Sequence, residues 1–301
     1  MPADVDRRDF LRLAGVGAGV VFASGLAGCA ARAGAPSADF HFVQLSDSHW
    51  GFDGPAVNPQ AKTTLVRAVA EVNALAMPPD FIVFTGDLTH TTDDAQERRK
   101  RMREFKAIVA DLEVRDIHFL PGEHDASLDR GAAFQEFFGP THYSFDHRGV
   151  HFVALVNVAD LKPGGMGNLG TEQLKWLAAD LAGRSSSTPI VVFAHIPLWT
   201  VYADWGWGTD DSAQALKLLA RFGSVTVLNG HIHQITQKVE GRVAFHTARS
   251  TAFPQPAPGT APSPGPLKVP PEQLRGMLGI TDAMFVRGRD RIALIDSTLS
   301  A

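Results

Sequence analysis

The chain has 301 residues, 45% hydrophobic and 20% charged, which is the make-up of a globular protein long enough to bury a large core. A formal charge of −4 offers no basic footprint for long nucleic acid, while leaving small nucleotides open as ligands. The single cysteine excludes an internal disulfide and leaves the rest of the chain thiol-free, which suits an oxidising compartment.

In chain order the first signal is Asp6-Arg7-Arg8-Asp9-Phe10-Leu11, followed by a Gly/Ala-rich apolar stretch over 13–27 and then Leu26-Ala27-Gly28-Cys29. The stretch is too short and too weakly apolar for a good transmembrane helix. The order looks like a twin-arginine export signal ending in a lipobox. Residues 1–28 are therefore expected to be a signal peptide, 29–38 a flexible tether, and 39–301 the folded domain. The partners expected at this end are the twin-arginine export machinery and, through an acylated Cys29, the membrane. Cleavage within residues 29–33 with release of soluble protein is the competing reading. Either way the protein is expected to be exported, to the periplasm or the outer face of the cell envelope. The twin-arginine route carries folded cargo, which suits a protein that captures metal as it folds.

Residues 40–45 alternate apolar and polar side chains and predict a strand. Leu65, Val69, Val72 and Ala76 sit at helical spacing and predict a helix over 61–76, stopped by Pro78-Pro79. A short buried strand is predicted over 81–84. A charged amphipathic helix over 92–112 follows, with Met102, Phe105, Ile108, Val109 and Leu112 on one face. Further strands are read over 117–120, 151–156, 190–193 and 225–228, with helices near 171–181 and over 212–222. The last strands are read over 235–239, 243–246, 283–286 and 291–295. The early alternation predicts parallel, buried strands, and the late run of strands predicts a second sheet packed on the first. Residues 254–271, rich in Pro, Gly, Ala and Ser, read as an extended surface loop, the other reading being a loop that closes over a site.

The chemistry lies in a ladder of metal-ligand residue types: Asp47-Ser48-His49, Gly86-Asp87, Gly122-Glu123-His124-Asp125, His195, and Gly230-His231-Ile232-His233. Each rung falls just past a predicted strand. Two cations held close together need several carboxylates and neutral imidazoles converging on one point. Positions i and i+2 of a strand share a direction, so Asp47 and His49 are expected to reach a common ion; His231 and His233 have the same spacing, with Gly230 allowing a tight turn beside the metals.

Taken together, D-x-H, G-D, G-E-H-D, H and G-H-x-H resemble the motif set of the calcineurin-like metallophosphoesterase family. The resemblance covers roughly residues 40–250, and one position departs: Glu123 stands where the family has Asn. It implies an α/β fold of two stacked mixed β-sheets flanked by helices, a four-layer αββα sandwich with the site at the strand ends. It also implies two divalent or mixed-valence ions (iron, manganese or zinc). Asp47, His49 and His233 would bind the first and His195 and His231 the second. Position 123 would add an oxygen to the second, and Asp87 would bridge the two. The ions would share a water, lower its pKa to give a bridging hydroxide, and clamp phosphate oxygens for in-line displacement. His124 is the implied general acid, with Asp125 orienting and charge-stabilising it. In the purple acid phosphatase branch a Tyr at the position of His90 binds iron, so His90 is open between a first-metal contact, a helix start and a supporting role.

Glu123 supplies a full negative charge where Asn supplies a neutral carbonyl. The extra charge favours a harder or more highly charged ion such as iron, and it disfavours a phosphate dianion more than a singly charged diester. The expected substrate is therefore a small phosphodiester, nucleotide-like or otherwise; the competing place for Glu123 is the surface. After His195, Trp199, Tyr202, Trp205 and Trp207 have two readings, an aromatic wall that stacks a substrate ring or a loop pinned to the core. His41, His118, His142, His147, His151 and His246 carry no motif and are expected to be structural or exposed. Two rival functions stand beside the phosphodiesterase. One is a non-hydrolytic metal-binding or redox protein retuned by Glu123, and the other is a binding module built on the aromatic and Pro-rich segments.

Overall fold

The computed structural model describes residues 39–289 and 292–299; the segments expected to be an export signal and a tether, with Cys29, lie outside them. Its architecture follows from where apolar strands find partners. β1 (Phe40–Leu45), β2 (Phe81–Thr85) and β3 (Ile117–Leu120) pair in parallel. β10 (Gly279–Phe285) pairs antiparallel with the other side of β1, and β11 (Ala293–Thr298) follows it, giving the order β11-β10-β1-β2-β3. The second sheet holds β4 (Tyr143–His147), β5 (Val150–Leu155), β6 (Ile190–Ala194), β7 (Val225–Asn229), β8 (Gln237–Glu240) and β9 (Val243–Thr247). Its order is β4-β5-β6-β7-β9-β8, parallel through β5, β6, β7 and β9 and antiparallel at both edges.

The sheets face each other through an aromatic seam. Phe40, Phe42 and Phe81 from the first sheet meet Phe152 and Phe193 from the second, all buried. Helices cover the outer faces. α1 (Ala61–Asn73), α2 (Ala95–Val109), α4 (Ala132–Phe138) and α7 (Pro271–Met277) pack on the first sheet. α5 (Thr171–Leu181) and α6 (Ser212–Leu219) pack on the second. A single turn, α3 (Glu123–Ala126), follows β3. This is the four-layer αββα sandwich that the resemblance implies. Among the described residues no helix is long and apolar enough to cross a membrane.

Three expectations change. The late strands do not form a second sheet together: β8 and β9 join it, while β10 and β11 return to the first. Every residue of β1 is buried, so its backbone needs a partner on both sides, and β10 supplies the second. The predicted helix over 92–112 starts three residues late, because the Asp94 carboxylate accepts the N–H groups of Gln96 and Glu97 and sets the cap. β4, absent from the sequence reading, is joined to β5 by Arg148-Gly149, with φ of 46° and 87°. That two-residue turn needs both residues left-handed, and Arg in place of the usual Asn or Asp hid it.

Residues 254–270 carry no regular element and run mostly exposed, as a surface loop does; the Leu267 N–H donates to Pro254 O at 2.8 Å and closes its base. Among the histidines without a motif, His151 is fully buried between Asp146 (3.0 Å) and Asp180 (2.7 Å). His41 faces Asp282 at 3.0 Å, and His246 faces Asp296 at 3.0 Å. These three are structural.

Phe152 meets three aromatic rings across the seam, Phe40, Phe42 and Phe81, and two of its own sheet, Phe145 and Phe193. Phe152→Ala is therefore expected to lower the unfolding free energy by about 3–5 kcal/mol, read from the denaturant midpoint at unchanged slope.

Candidate metal centre

The pairing of β1 with β2 does not stop where the strands stop. The Asp47 N–H donates to Gly86 O (3.0 Å), His49 N–H to Asp87 O (2.9 Å), Trp50 N–H to Leu88 O (3.0 Å), and His90 N–H to Trp50 O (2.9 Å). The two loops thus stay laced together past the sheet, setting Asp47 and His49 against Asp87 and His90.

These residues are not extended. Asp47, His49 and Asp87 have φ of 54°, 42° and 50°, and His231 and His233 have 70° and 53°. The shared direction expected from strand pleating therefore does not operate here. Consecutive left-handed turns aim the side chains instead, at a strain of about 1–3 kcal/mol each. Glycines make room beside them. A Cβ on Gly122 would lie 2.0 Å from Asp87 Oδ1, on Gly86 2.3 Å from His195 Nδ1, and on Gly230 2.1 Å from Ser46 Oγ.

With Glu123 from α3 and His195 after β6, two of the groups of possible ligands formed are Asp47–His49–His233 and Glu123–His195–His231. In the first, His49 Nε2 and His233 Nε2 are 3.1 Å apart, and His233 Nε2 is 3.3 Å from Asp47 Oδ1. In the second, Glu123 lies 2.9 Å from both His195 Nε2 and His231 Nδ1. Glu123 is thus inside the centre and not on the surface. Asp87 stands between the groups. Its Oδ1 accepts the His124 backbone N–H at 2.9 Å, while its Oδ2 lies 3.5 Å from His49 Nε2 and 3.4 Å from His195 Nε2.

The donor set fits cations. Among the described residues, Glu123 Oε2, His195 Nε2 and both ring nitrogens of His231 are buried with no well-formed hydrogen bond. Buried polar atoms are rarely left so, and the Glu123 carboxylate lies between His195 Nε2 and His231 Nδ1. Outer partners fix the rings. His195 Nδ1 donates to Thr85 O at 2.7 Å and His233 Nδ1 to Phe253 O at 2.6 Å, so each Nε2 presents a lone pair inward. At His49 and Glu123 charge points the same way. Burial, then His124 and His233, hold the His49 imidazole well below its ordinary range. Burial alone would raise Glu123, but His231 and His195 outweigh it and hold its carboxyl well below the usual value.

His124 sits at the rim, its Nε2 3.9 Å from Asp87 Oδ2. Burial alone would lower the His124 imidazole, but the charges of Asp87, Glu123 and Asp125 outweigh it and raise it, so the expected charge support from Asp125 is present, while its hydrogen bonds go elsewhere and do not orient the ring. The Asp125 carboxylate accepts the N–H groups of Leu88, Thr89 and Gly122 and the Thr89 hydroxyl, tying the β2 loop to α3. The His124 ring is held instead by Thr91, whose backbone N–H donates to Nδ1 at 3.1 Å and whose hydroxyl lies 2.6 Å from it. Nothing in the sequence marks Thr91 for that task.

The aromatic wall is corrected in part. Trp207 is fully buried, and Trp199 packs on Phe245 with centroids 4.9 Å apart, so both belong to the interior. Tyr202 and Trp205 remain partly exposed, edge to face at 5.1 Å. Among the described residues none of these four rings packs on a ligand histidine. The ring that does is Phe253, 4.7 Å from both His49 and His233, and sequence reasoning missed it. His90 is not at a helix start; its Nδ1 lies 3.3 Å from His49 Nδ1 and its ring stacks on His124 at 4.8 Å. Burial, reinforced by His124, lowers its imidazole to about 4.

Because a Cβ at position 122 would displace the Asp87 carboxylate, Gly122→Ala is expected to weaken metal binding by roughly 10–100-fold. Titration of the metal-stripped protein followed by elemental analysis reads this.

The calcineurin-like phosphoesterase family profile matches residues 40–235, from the first strand to just past His233. A probable glycerophosphodiester phosphodiesterase of Arcobacter nitrofigilis is 24% identical over 217 residues, covering 69% of this chain and 77% of the relative. A probable cyclic nucleotide phosphodiesterase of Rhodococcus erythropolis is 26% identical over 226 residues, covering 71% and 72%. Among solved structures, a dimetal phosphatase from Danio rerio superposes with a TM-score of 0.60 at 16% identity, covering 88% of this chain and all of the other, and so shares the fold. The match spans every rung of the ladder, and the chain belongs to the calcineurin-like phosphoesterase family.

Proposed function

We propose that the protein is an exported phosphodiesterase that works with two divalent or mixed-valence metal ions, drawn from iron, manganese and zinc. One observation carries the reading: a single carboxylate oxygen, Asp87 Oδ2, stands about equally far from a nitrogen of each ligand group, 3.5 Å from His49 and 3.4 Å from His195. Asp47, His49 and His233 would hold one ion, and Glu123, His195 and His231 the other, with Asp87 shared. When bound, the pair would supply an activated water and a positive clamp on the phosphate oxygens.

The protein's own groups supply the rest. Thr91 N–H occupies the Nδ1 lone pair of His124, which leaves the ring proton on Nε2, the nitrogen nearer the centre. From the rim that N–H is placed to serve the leaving oxygen of an ester. Glu123 adds a carboxylate to the second group, which disfavours a dianionic monoester relative to a singly charged diester. Two relatives are named as phosphodiesterases, one for glycerophosphodiesters and one for cyclic nucleotides, and both substrates are small diesters. Export is read from Arg7-Arg8, the apolar stretch after them and Cys29, taken as the signal, its apolar core and the lipid anchor.

Protein loaded with manganese, iron or zinc is expected to hydrolyse an aryl phosphodiester faster than the matching monoester. Glu123→Asn should move that ratio towards the monoester by roughly tenfold, the size of a 1.4 kcal/mol change in barrier. Absence of turnover on both esters by protein holding two ions per chain would overturn the assignment. In the native host, Cys29→Ser is expected to move the protein from the membrane fraction to the soluble one, and an unchanged distribution would remove the lipid anchor.

A further inference from the structure

The ligand histidines are held from behind, and they are not held alike. His195 and His233 each donate Nδ1–H to a main-chain carbonyl, of Thr85 and Phe253. His49 has no carbonyl there; the atom facing its Nδ1 is Nδ1 of His90, at 3.3 Å. For His49 Nε2 to offer a lone pair towards His233 Nε2 and Asp87 Oδ2, its Nδ1 must carry the hydrogen and donate it outward. The acceptor is then the Nδ1 lone pair of His90, which puts the His90 ring hydrogen on Nε2.

We propose that His90 is a positioning residue for the first metal site: it accepts the His49 Nδ1–H and so fixes His49 in the tautomer and orientation that bind an ion through Nε2. The inference rests on the binuclear reading of the centre. The position is built for it. The His90 backbone N–H donates to Trp50 O at 2.9 Å, and its carbonyl accepts from Arg101 Nη1 at 2.9 Å. Arg101 is in turn held by Glu97 at 3.1 Å. The His90 ring lies edge-on to Phe52 (5.2 Å) and stacks on His124 (4.8 Å). Main chain and ring are therefore fixed on several sides, and the nitrogen left facing His49 is the acceptor. His90 also touches His124, the group at the rim, so one side chain supports a ligand of the first ion and the residue facing the ester.

The same three rings, His49, His90 and His124, could themselves surround a cation. Two observations favour the hydrogen-bonded arrangement. His124 Nδ1 already accepts from Thr91, and His49 would need to give up both ring hydrogens to serve two ions.

The test separates the acceptor from the ring. Wild-type, His90→Phe and His90→Asn proteins are stripped of metal, titrated with Mn2+ and with Zn2+, and read by calorimetry and elemental analysis, with circular dichroism as the folding control. His90→Phe keeps the stacking surface and loses the acceptor. It is expected to weaken one of the two sites by roughly 10–100-fold and leave the other unchanged. His90→Asn restores an acceptor oxygen and is expected to recover most of that loss. His90→Phe binding both ions with wild-type affinity overturns the inference while leaving the centre intact. So does a third ion in the wild type that His90→Phe loses, because His90 would then be a ligand. Wild-type protein that takes up no ion overturns the binuclear reading itself, and this inference with it.

Discussion

Three carboxylates and five imidazoles, those of Asp47, Asp87, Glu123, His49, His124, His195, His231 and His233, meet where the strands of both sheets end. Most of them are buried. Without compensation, gathering so much carboxylate charge away from water costs several kcal/mol per group. Cations offset it directly, and the rest of the architecture can be understood as the means of bringing these groups to one place and keeping water-seeking atoms paired behind them.

The means are mechanical. The parallel strands of the two mixed sheets put the carboxyl ends of β1, β2, β3, β6 and β7 beside the ligand cluster. The seam of phenylalanines locks their distance. Close to the site a polar strut replaces it: the Gln44 amide on β1 donates to Thr85 Oγ1 (2.9 Å) and to Asn229 O of β7 (3.1 Å), joining the two sheets. Beyond the strands, continued main-chain pairing and left-handed turns aim the ligands, and glycines at 86, 122 and 230 allow the close approach. The strain in these turns persists because the surrounding hydrogen bonds over-determine them.

The outer layer is where this chain shows its own character. The Asp125 carboxylate accepts from four donors of loop and turn, which makes it a structural tie, and it acts on His124 through charge and not through a hydrogen bond. Thr91 takes over the ring that Asp125 leaves. His90 stands behind His49, and Phe253 closes the first ligand group from the side of the Pro-rich loop, through both its carbonyl and its ring. Residues from three separate stretches of the chain, at 90–91, 125 and 253, thus define how the ligands are presented.

The sequence by itself determined the parts whose signals are local. The β1, β3 and α5 spans follow from periodicity, and the ligand ladder from residue types placed after apolar runs, because each such signal lies within a few residues of the side chain concerned. Glu123 was legible as a departure, and its burial between His195 and His231 required the fold. Only the tertiary structure decided which sheet each late strand joins, since β10 is drawn to β1 by unpaired main-chain groups more than two hundred residues away. It also decided that Trp199 and Trp207 are core while Phe253 lies on the metal ligands, because aromatic composition is the same for a wall and for an anchor. The roles of His90, Thr91 and Asp125 likewise rest on hydrogen bonds whose partners are set by loop geometry, and no spacing in the sequence encodes that geometry.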